Sequence, residues 1–337
     1  MTAENERPWA LVLAGGDGVR LRDLTRRIVG SPIPKQYCRF TGDRSLLQLT
    51  LARIAPSVSA ARTFVVVNRD HLELARPQLT GLARRNIVVQ PENRDTGPGV
   101  LLGLSHIARW SPQALVVVLP SDHYVRDELA FRHHVERALD VVRRHGDRIA
   151  LLGIPPDRPE PGFGYVTTCA LDGVTGPSAL GVRAFEEKPS TAKAARLIAG
   201  GALWSSLVMV FRVDRMLELL ARVVPDGVGR LRLRGDRTVT RAYRSIPPWN
   251  ISRDFLAHVP QHLVVVRADG IGWSDMGTPE SVERTLVTLG RDVPWRRSAR
   301  GNLSALDEVA VGESAMVGVM SNDLPLLSIA RHREAAT

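Results

Sequence analysis

Three glycines fall within four residues at Gly15, Gly16 and Gly18, and Arg20 stands two positions further on. Glycine lets a backbone come close to a ligand, and a run of exposed N–H groups suits phosphate. Arg20 would add a charge-assisted contact. A dinucleotide-binding loop would need a further glycine where Leu21 stands, and a P-loop would need Gly-Lys-Ser/Thr, which is absent. Taken alone, the glycines fit a plain tight turn equally well. Lys35, in Pro34-Lys35-Gln36, adds weight. The chain has three lysines, Lys35, Lys188 and Lys193, against 42 arginines. A lysine gives phosphate a compact point charge.

The elements that must position these groups are legible in the first half. Short apolar runs at 10–14, 63–67, 87–90, 115–119 and 149–154 read as strands. Helical spacing of apolar residues fills 46–54, 71–82, 99–110 and 128–143 between them. Strands alternating with helices of about 10–15 residues predict βαβ units and a parallel sheet. The strands are continuously apolar, which fits a sheet covered on both faces. Ligands of such sheets lie beyond the carboxyl ends of the strands, here the loops after Ala14, Gln90 and Leu119. After about Pro155 the pattern turns irregular, with strands at 165–170, 182–185, 207–212 and 262–268 and helices at 191–199, 216–223 and 279–289. Ser190 is placed to cap the first of these helices. The fold class expected is α/β, a mixed, mostly parallel Rossmann-like sheet with helices on both faces and a smaller sugar-binding subdomain. A catalytic domain over 1–290 and a tail over 291–337 with short strands at 309–311, 316–320 and 324–329 complete the expectation.

LVLAGGDGVRLRDLT followed by PKQ resembles the signature of sugar-1-phosphate nucleotidylyltransferases. Within them the chain is most similar to the mannose-1-phosphate guanylyltransferases. VVQPENRDTGPG, LPSDHYV, PGFGYV, FEEKPS, LWSSLVMVFR and GWSDMG follow in the order that family shows, over about residues 9–290. The resemblance implies attack of a sugar phosphate oxygen on the α-phosphorus of a nucleoside triphosphate, with pyrophosphate leaving. It implies Mg2+ as cofactor, with Asp122 and Asp275 as its ligands. A lone Ser-Asp pair is more often a cap or turn. The resemblance further assigns Arg20 and Lys35, with Gly15, Gly16 and Gly18, to the triphosphate. Gln90, Arg94 and Asp95 fall at the nucleotide, and Gly164, Tyr165, Glu187 and Ser205 at the sugar. Lys188 falls on the phosphate of the sugar. Two of the three lysines thus lie where the family needs lysine.

The chain departs from that pattern at three places. Trp-Asn-Ser-Gly of the family reads Trp204-Ser205-Ser206-Leu207, and Arg-Asn-Thr-Ala-Pro reads Arg94-Asp95-Thr96-Gly97-Pro98. Gln90 stands where the guanylyltransferases carry glutamate. An amide offers one acceptor and one donor group, so it would leave one guanine donor unanswered and suit uracil or thymine better. GTP and mannose 1-phosphate remain the expected substrates, with uridylyl or thymidylyl transfer to another hexose phosphate as the alternative. A non-catalytic nucleotide-sugar-binding paralogue is a second alternative, favoured only by the altered 204–207 stretch. A glycosyltransferase would leave the 15–20 loop unexplained and lacks its Asp-x-Asp pair here.

Composition bounds the rest. The 337 residues carry a formal charge of +10, with 44% hydrophobic and 24% charged residues, as a globular protein does. Arginine is spread along the chain without a basic tail, so phosphate-bearing small molecules are expected as partners and nucleic acid is not. No apolar run reaches a membrane span. Acidic residues ahead of a short apolar run speak against a secretory leader. Two cysteines, Cys38 and Cys169, give no disulfide framework. The expectation is a cytoplasmic protein, compatible with a homodimer.

Overall fold

Strand β1 (Trp9–Ala14) shows how the sheet acquires two cores. Leu11 packs into one apolar cluster, while Ala10, Val12 and Ala14 pack into another. The same alternation divides β2 (Thr63–Asn68), with Phe64 and Val66 on one face and Val65 and Val67 on the other. It recurs in β4 (Leu115–Pro120). Period-two alternation with both sets apolar gives a sheet buried on both sides. Each buried Leu, Val or Phe contributes about 1.5–3 kcal/mol of burial.

The structure is a computed structural model that describes residues 7–171, 179–224, 236–293 and 295. The described residues up to Val293 belong to one compact unit. The short strands expected at 309–329 lie outside the described residues.

The remaining strands are β3 (Ile87–Gln90), β5 (Tyr124–Val125), β6 (Ile149–Ile154), β7 (Gly164–Cys169), β8 (Leu180–Glu187), β9 (Leu203–Arg212), β10 (Leu263–Arg267) and β11 (Trp273–Ser274). Among the described residues, nine of the eleven strands make one sheet in the order β3-β2-β1-β4-β9-β6-β10-β8-β7. The pairings make β8 and β9 run against the other seven. The sheet is thus mixed: four of its pairings are parallel and five antiparallel, although seven of its strands share one direction. Where a smaller subdomain was expected, the second half instead extends this same sheet to the β8–β7 edge. From β1 the chain steps outward to β2 and β3, then returns to the other side of β1 as β4. The crevice between the carboxyl ends of β1 and β4 is therefore the switch point where ligands of such sheets bind.

Helices cover both faces. The helix Thr96–Trp110 packs Val100, Leu101, Leu104 and Ile107 on one face. The helix Glu128–Arg144 packs Phe131, Val135, Ala138 and Leu139 on the other, and Asp127 caps it by accepting from the Ala130 N–H at 2.8 Å. Ser45 and Gln48 form a capping box on the helix Leu46–Ile54. Ser190 caps Thr191–Ala199, as expected. The helix expected at 71–82 shrinks to one α-turn, Leu72–Ala75, followed by the 3-10 turn Arg76–Gln78. Pro77 cannot continue an α-helix, because it lacks an N–H and its ring crowds the preceding turn. The helices Arg22–Val29, Asp236–Ser245 and Ile251–Asp254 and the ribbon β5–β11 were not expected from the pattern. No described helix is long and apolar enough to cross a membrane.

Candidate active site

The loop after β1 is held from beneath by the segment that carries Lys35. Gly18 has φ 57°, and a Cβ there would stand 2.9 Å from Pro34 Cα and 3.0 Å from the Lys35 nitrogen. Only glycine tolerates both that backbone and that approach. Gln36 Nε2 donates to the carbonyls of Ala14 (3.1 Å) and Gly16 (2.7 Å), and the Tyr37 hydroxyl donates to Ala14 O (2.9 Å). Asp17, in the middle of the loop, accepts from Asn68 Nδ2 (3.3 Å) and Asn93 Nδ2 (2.7 Å) and lies 3.5 Å from His71 Nε2. The glycine loop is thus tied to the ends of β2 and β3. Nothing stands within 4 Å of a Cβ built on Gly16, so this part of the loop faces open space. Arg20 is exposed and reaches across the cleft: a Cβ on Gly277 would lie 3.2 Å from its guanidinium.

Asp122 and Asp275 come from distant parts of the chain and meet through β5–β11. The register pairs Ser274 with Tyr124 and Trp273 with Val125, which sets Asp275 and Asp122 side by side at one end of the ribbon. Ser121 fixes the start of that turn: its N–H and its hydroxyl both donate to Leu13 O, at 3.1 and 2.7 Å. Lys35 joins the two acids. Its ammonium lies 3.2 Å from Asp122 Oδ2 and donates to the Asp275 backbone carbonyl at 2.5 Å. Burial is the largest influence on the Asp122 carboxyl and would raise it, but the Lys35 ammonium, His123 and backbone hydrogen bonding together hold it below its ordinary range. The Asp122 side chain keeps 31% of its surface open, against 10% for Lys35. Gly277 leaves room for the Asp275 carboxylate, since a Cβ there would be 2.0 Å from Oδ2. His123 is lowered to about 4, chiefly by burial, and its Nδ1 accepts from Trp273 Nε1 at 3.2 Å.

Across the cleft, Gly164 of β7 pairs with Glu187 of β8. A Cβ on Gly164 would lie 2.8 Å from Glu187 Oε2, so glycine gives the carboxylate its place. Burial raises the Glu187 carboxyl above its ordinary range, against the opposing pull of Lys188. Lys188 has φ 49° and a 60% exposed side chain, 3.8 Å from Glu187 Oε1. Tyr165 is fully buried, and its hydroxyl accepts from Glu160 N and donates to Glu160 O. Only its backbone is available to a ligand. Ser205 sits in β9 where the pairing with β6 slips, and its hydroxyl accepts from Leu207 N at 3.4 Å. Leu207 has φ 58°, a left-handed backbone that favours glycine.

The three residues expected at the base have their polar atoms engaged within the chain. Gln90 ends β3 but is 2% exposed, packed under Gly15. Its Nε2 faces Gly15 O at 3.4 Å, and the Tyr243 hydroxyl donates to its Oε1 at 3.4 Å. Arg94 donates to Ile246 O (2.6 Å) and to Glu92. Asp95 has φ 68°, caps Thr96–Trp110 and accepts from Asn250 Nδ2 at 3.1 Å. Gly97 is explained by Trp249: a Cβ there would lie 2.2 Å from the indole, and the Gly97 N–H donates to Trp249 O. Sequence reasoning missed Gln36, Asp17, Asn68, Trp249 and Asn250. A polar residue closing the apolar strand β2 was the one available signal, and it pointed to Asn68.

The residues present fit a magnesium ion. Among the described residues no three ligating side chains cluster, so an all-protein cage is absent. Mg2+ is commonly held by one or two carboxylates together with phosphate oxygens and water. An ionised, partly open Asp122 beside Asp275 supplies that donor set.

Residues 9–289 match the family described as Nucleotidyl transferase. The xanthan biosynthesis protein XanB of Xanthomonas campestris pv. campestris (strain B100) is 34% identical over 284 residues, covering 81% of this chain and 58% of XanB. The mannose-1-phosphate guanylyltransferase of Escherichia coli (strain K12) is 31% identical over 289 residues, covering 81% of this chain and 59% of that protein. The chain therefore spans less than two thirds of the length of these relatives. A crystal structure reported as mannose-1-phosphate geranyltransferase from Thermus thermophilus superposes with a TM-score of 0.73 at 31% identity, covering 83% of this chain and 79% of that one. By sequence and by fold, the chain belongs to the nucleotidyl transferase family.

Proposed function

We propose that the chain transfers a guanylyl group from GTP to mannose 1-phosphate, forming GDP-mannose and pyrophosphate. The observation that carries this reading is the junction at the switch point, where Lys35 links Asp122 to Asp275 beneath a glycine loop and opposite an exposed Lys188. The names of the relatives favour mannose 1-phosphate and GTP over other pairs.

In this reading the phosphate oxygen of the sugar forms a bond to the α-phosphorus as the bond to the β-phosphate oxygen breaks. The nucleophile is already an anion, so positioning and charge do most of the catalysis. The N–H groups of the glycine loop face the triphosphate. Arg20 reaches the departing pyrophosphate, and Lys35 adds positive charge while holding Asp122 and Asp275 in place. Lys188 holds the sugar phosphate, and Glu187 accepts from sugar hydroxyls. Asp122 and Asp275 would hold Mg2+, which when bound adds charge neutralisation at the reacting phosphates.

The left-handed backbone at Leu207 supports an intact sugar side despite the changed residues at 205–207. Pyrophosphate release over a matrix of four nucleoside triphosphates and several hexose 1-phosphates tests the assignment. GTP with mannose 1-phosphate is expected to lead the matrix. Release with another pair at ~100-fold higher kcat/KM would replace the substrate assignment.

A further inference from the structure

A cavity of about 290 Å3 lies behind the ribbon that carries Asp275. Of the residues placed at the triphosphate, the metal and the sugar phosphate, only Asp275 lines it; Arg20, Lys35, Asp122, Glu187 and Lys188 do not. Its wall is basic and aromatic. Arg126, Arg158 and Arg284 face it together with Trp204 and Trp273. Arg158 is held by Asp157 at 2.7 Å and lies over the Trp204 ring at 5.2 Å. Arg126 and Arg284 are exposed and form no ion pair among the described residues. Two guanidinium groups beside one cavity, neither paired with a carboxylate, form a charge that an anion would answer. Trp204 is 3% exposed, and its indole N–H has no hydrogen-bond partner.

The remainder of the wall narrows the ligand. Ser281, Thr285 and Thr288 of the helix Pro279–Thr288 line one side; their hydroxyls donate to Thr278 O, Ser281 O and Arg284 O, so toward a ligand they can only accept. Accepting hydroxyl oxygens suit the hydroxyls of a sugar, and an indole face suits the C–H face of a pyranose ring. The volume lies at the lower bound of small-molecule sites, which is about 300 Å3. One ring with one phosphate fits that size better than a nucleotide sugar does.

We propose that this cavity is a second binding site, separate from the transfer site, that takes a monosaccharide phosphate, with its phosphate on Arg126 and Arg284 and its ring against Trp273. Asp275 itself lines one edge of the cavity, so occupancy would be felt at the metal carboxylate. The site does not depend on which base the transfer reaction uses.

The test is calorimetric titration of the full chain with mannose 1-phosphate, with Trp fluorescence as a second readout. Wild type is expected to show a binding event that Arg126→Gln with Arg284→Gln weakens at least ~10-fold. The single variant Arg284→Glu should weaken it further, and all variants should keep their melting temperature, since both arginines are exposed. The kcat/KM for transfer at low sugar phosphate should stay within about twofold. No binding event that depends on these arginines would overturn the proposal. A parallel loss of kcat/KM for the sugar phosphate would also overturn it, because the cavity would then belong to the transfer site. Equal affinity of that event for inorganic phosphate or GMP would overturn the sugar-phosphate assignment. Binding is read without turnover, so an inactive wild type that still shows the arginine-dependent event would contradict the proposed reaction and leave this site standing.

Discussion

Lys35 lies 3.2 Å from the Asp122 carboxylate while its ammonium also donates to the backbone carbonyl of Asp275. One buried lysine thus ties together two acids that lie far apart in the chain. Lys35→Met is expected to lower kcat by ~100-fold or more, because the charge and the alignment go together. It should also cost about 1–3 kcal/mol of stability, since a part-buried carboxylate and a carbonyl lose their donor. Lys35→Arg should not restore turnover, as a planar fork does not replace a point charge in this space. Steady-state kinetics with urea unfolding checks both parts, and an arginine variant with near-normal kcat would count against the assigned role.

Lys188 makes the opposite case. Its side chain is mostly exposed, with its ammonium 3.8 Å from Glu187 Oε1. Lys188→Ala should leave the melting temperature unchanged and raise the KM for the sugar phosphate by about tenfold, with the KM for the nucleotide within about twofold. A change confined to the nucleotide would reassign the residue.

Glu187 predicts a pH dependence. Its carboxyl is raised above the ordinary range, mainly by burial, with Asp95 adding and Lys188 and Arg253 opposing. A carboxyl with a higher value in the folded than in the unfolded state stabilises the fold only below its unfolded value. That contribution is lost as pH rises through the folded value. Glu187→Gln should therefore raise the melting temperature more at about pH 8 than at about pH 4. The same variant should weaken sugar binding. An equal gain at both pH values would contradict the burial argument.

Leu207 occupies a backbone region that costs a non-glycine residue roughly 1–2 kcal/mol. Removing its half-buried side chain costs a similar amount. Leu207→Gly is expected to stay within about 1 kcal/mol of wild type, while the β-branched Leu207→Val loses about 1–2 kcal/mol. Chemical denaturation distinguishes these outcomes. A glycine variant that loses about 3 kcal/mol or more would mean that packing, not backbone, decides this position.

The elements of the first half were readable because each strand is apolar on both faces and each helix has one apolar stripe. Helix 46–54 and strands 87–90 and 149–154 stand where the sequence puts them. Pro77 broke a helix whose apolar spacing alone ran on. The ribbon β5–β11 was not readable, since two-residue strands carry no period, yet it is what brings Asp275 to Asp122. Motif resemblance named these acids without supplying the contact. Gln90 was read as facing a base because it ends β3, but whether a strand-end side chain turns outward or under the loop depends on Gly15, Gly99 and Tyr243. Such tertiary neighbours leave no local trace.

The most direct measurement is Mg2+-dependent pyrophosphate release from GTP and mannose 1-phosphate by wild type, Asp122→Asn and Asp275→Asn. Each substitution removes one formal charge from the carboxylate pair and keeps its shape. Both variants are expected to fold with an unchanged circular dichroism spectrum and to lose at least ~100-fold in kcat. Near-normal Mg2+-dependent turnover in either variant would contradict the assignment of the Lys35–Asp122–Asp275 junction as the transfer centre.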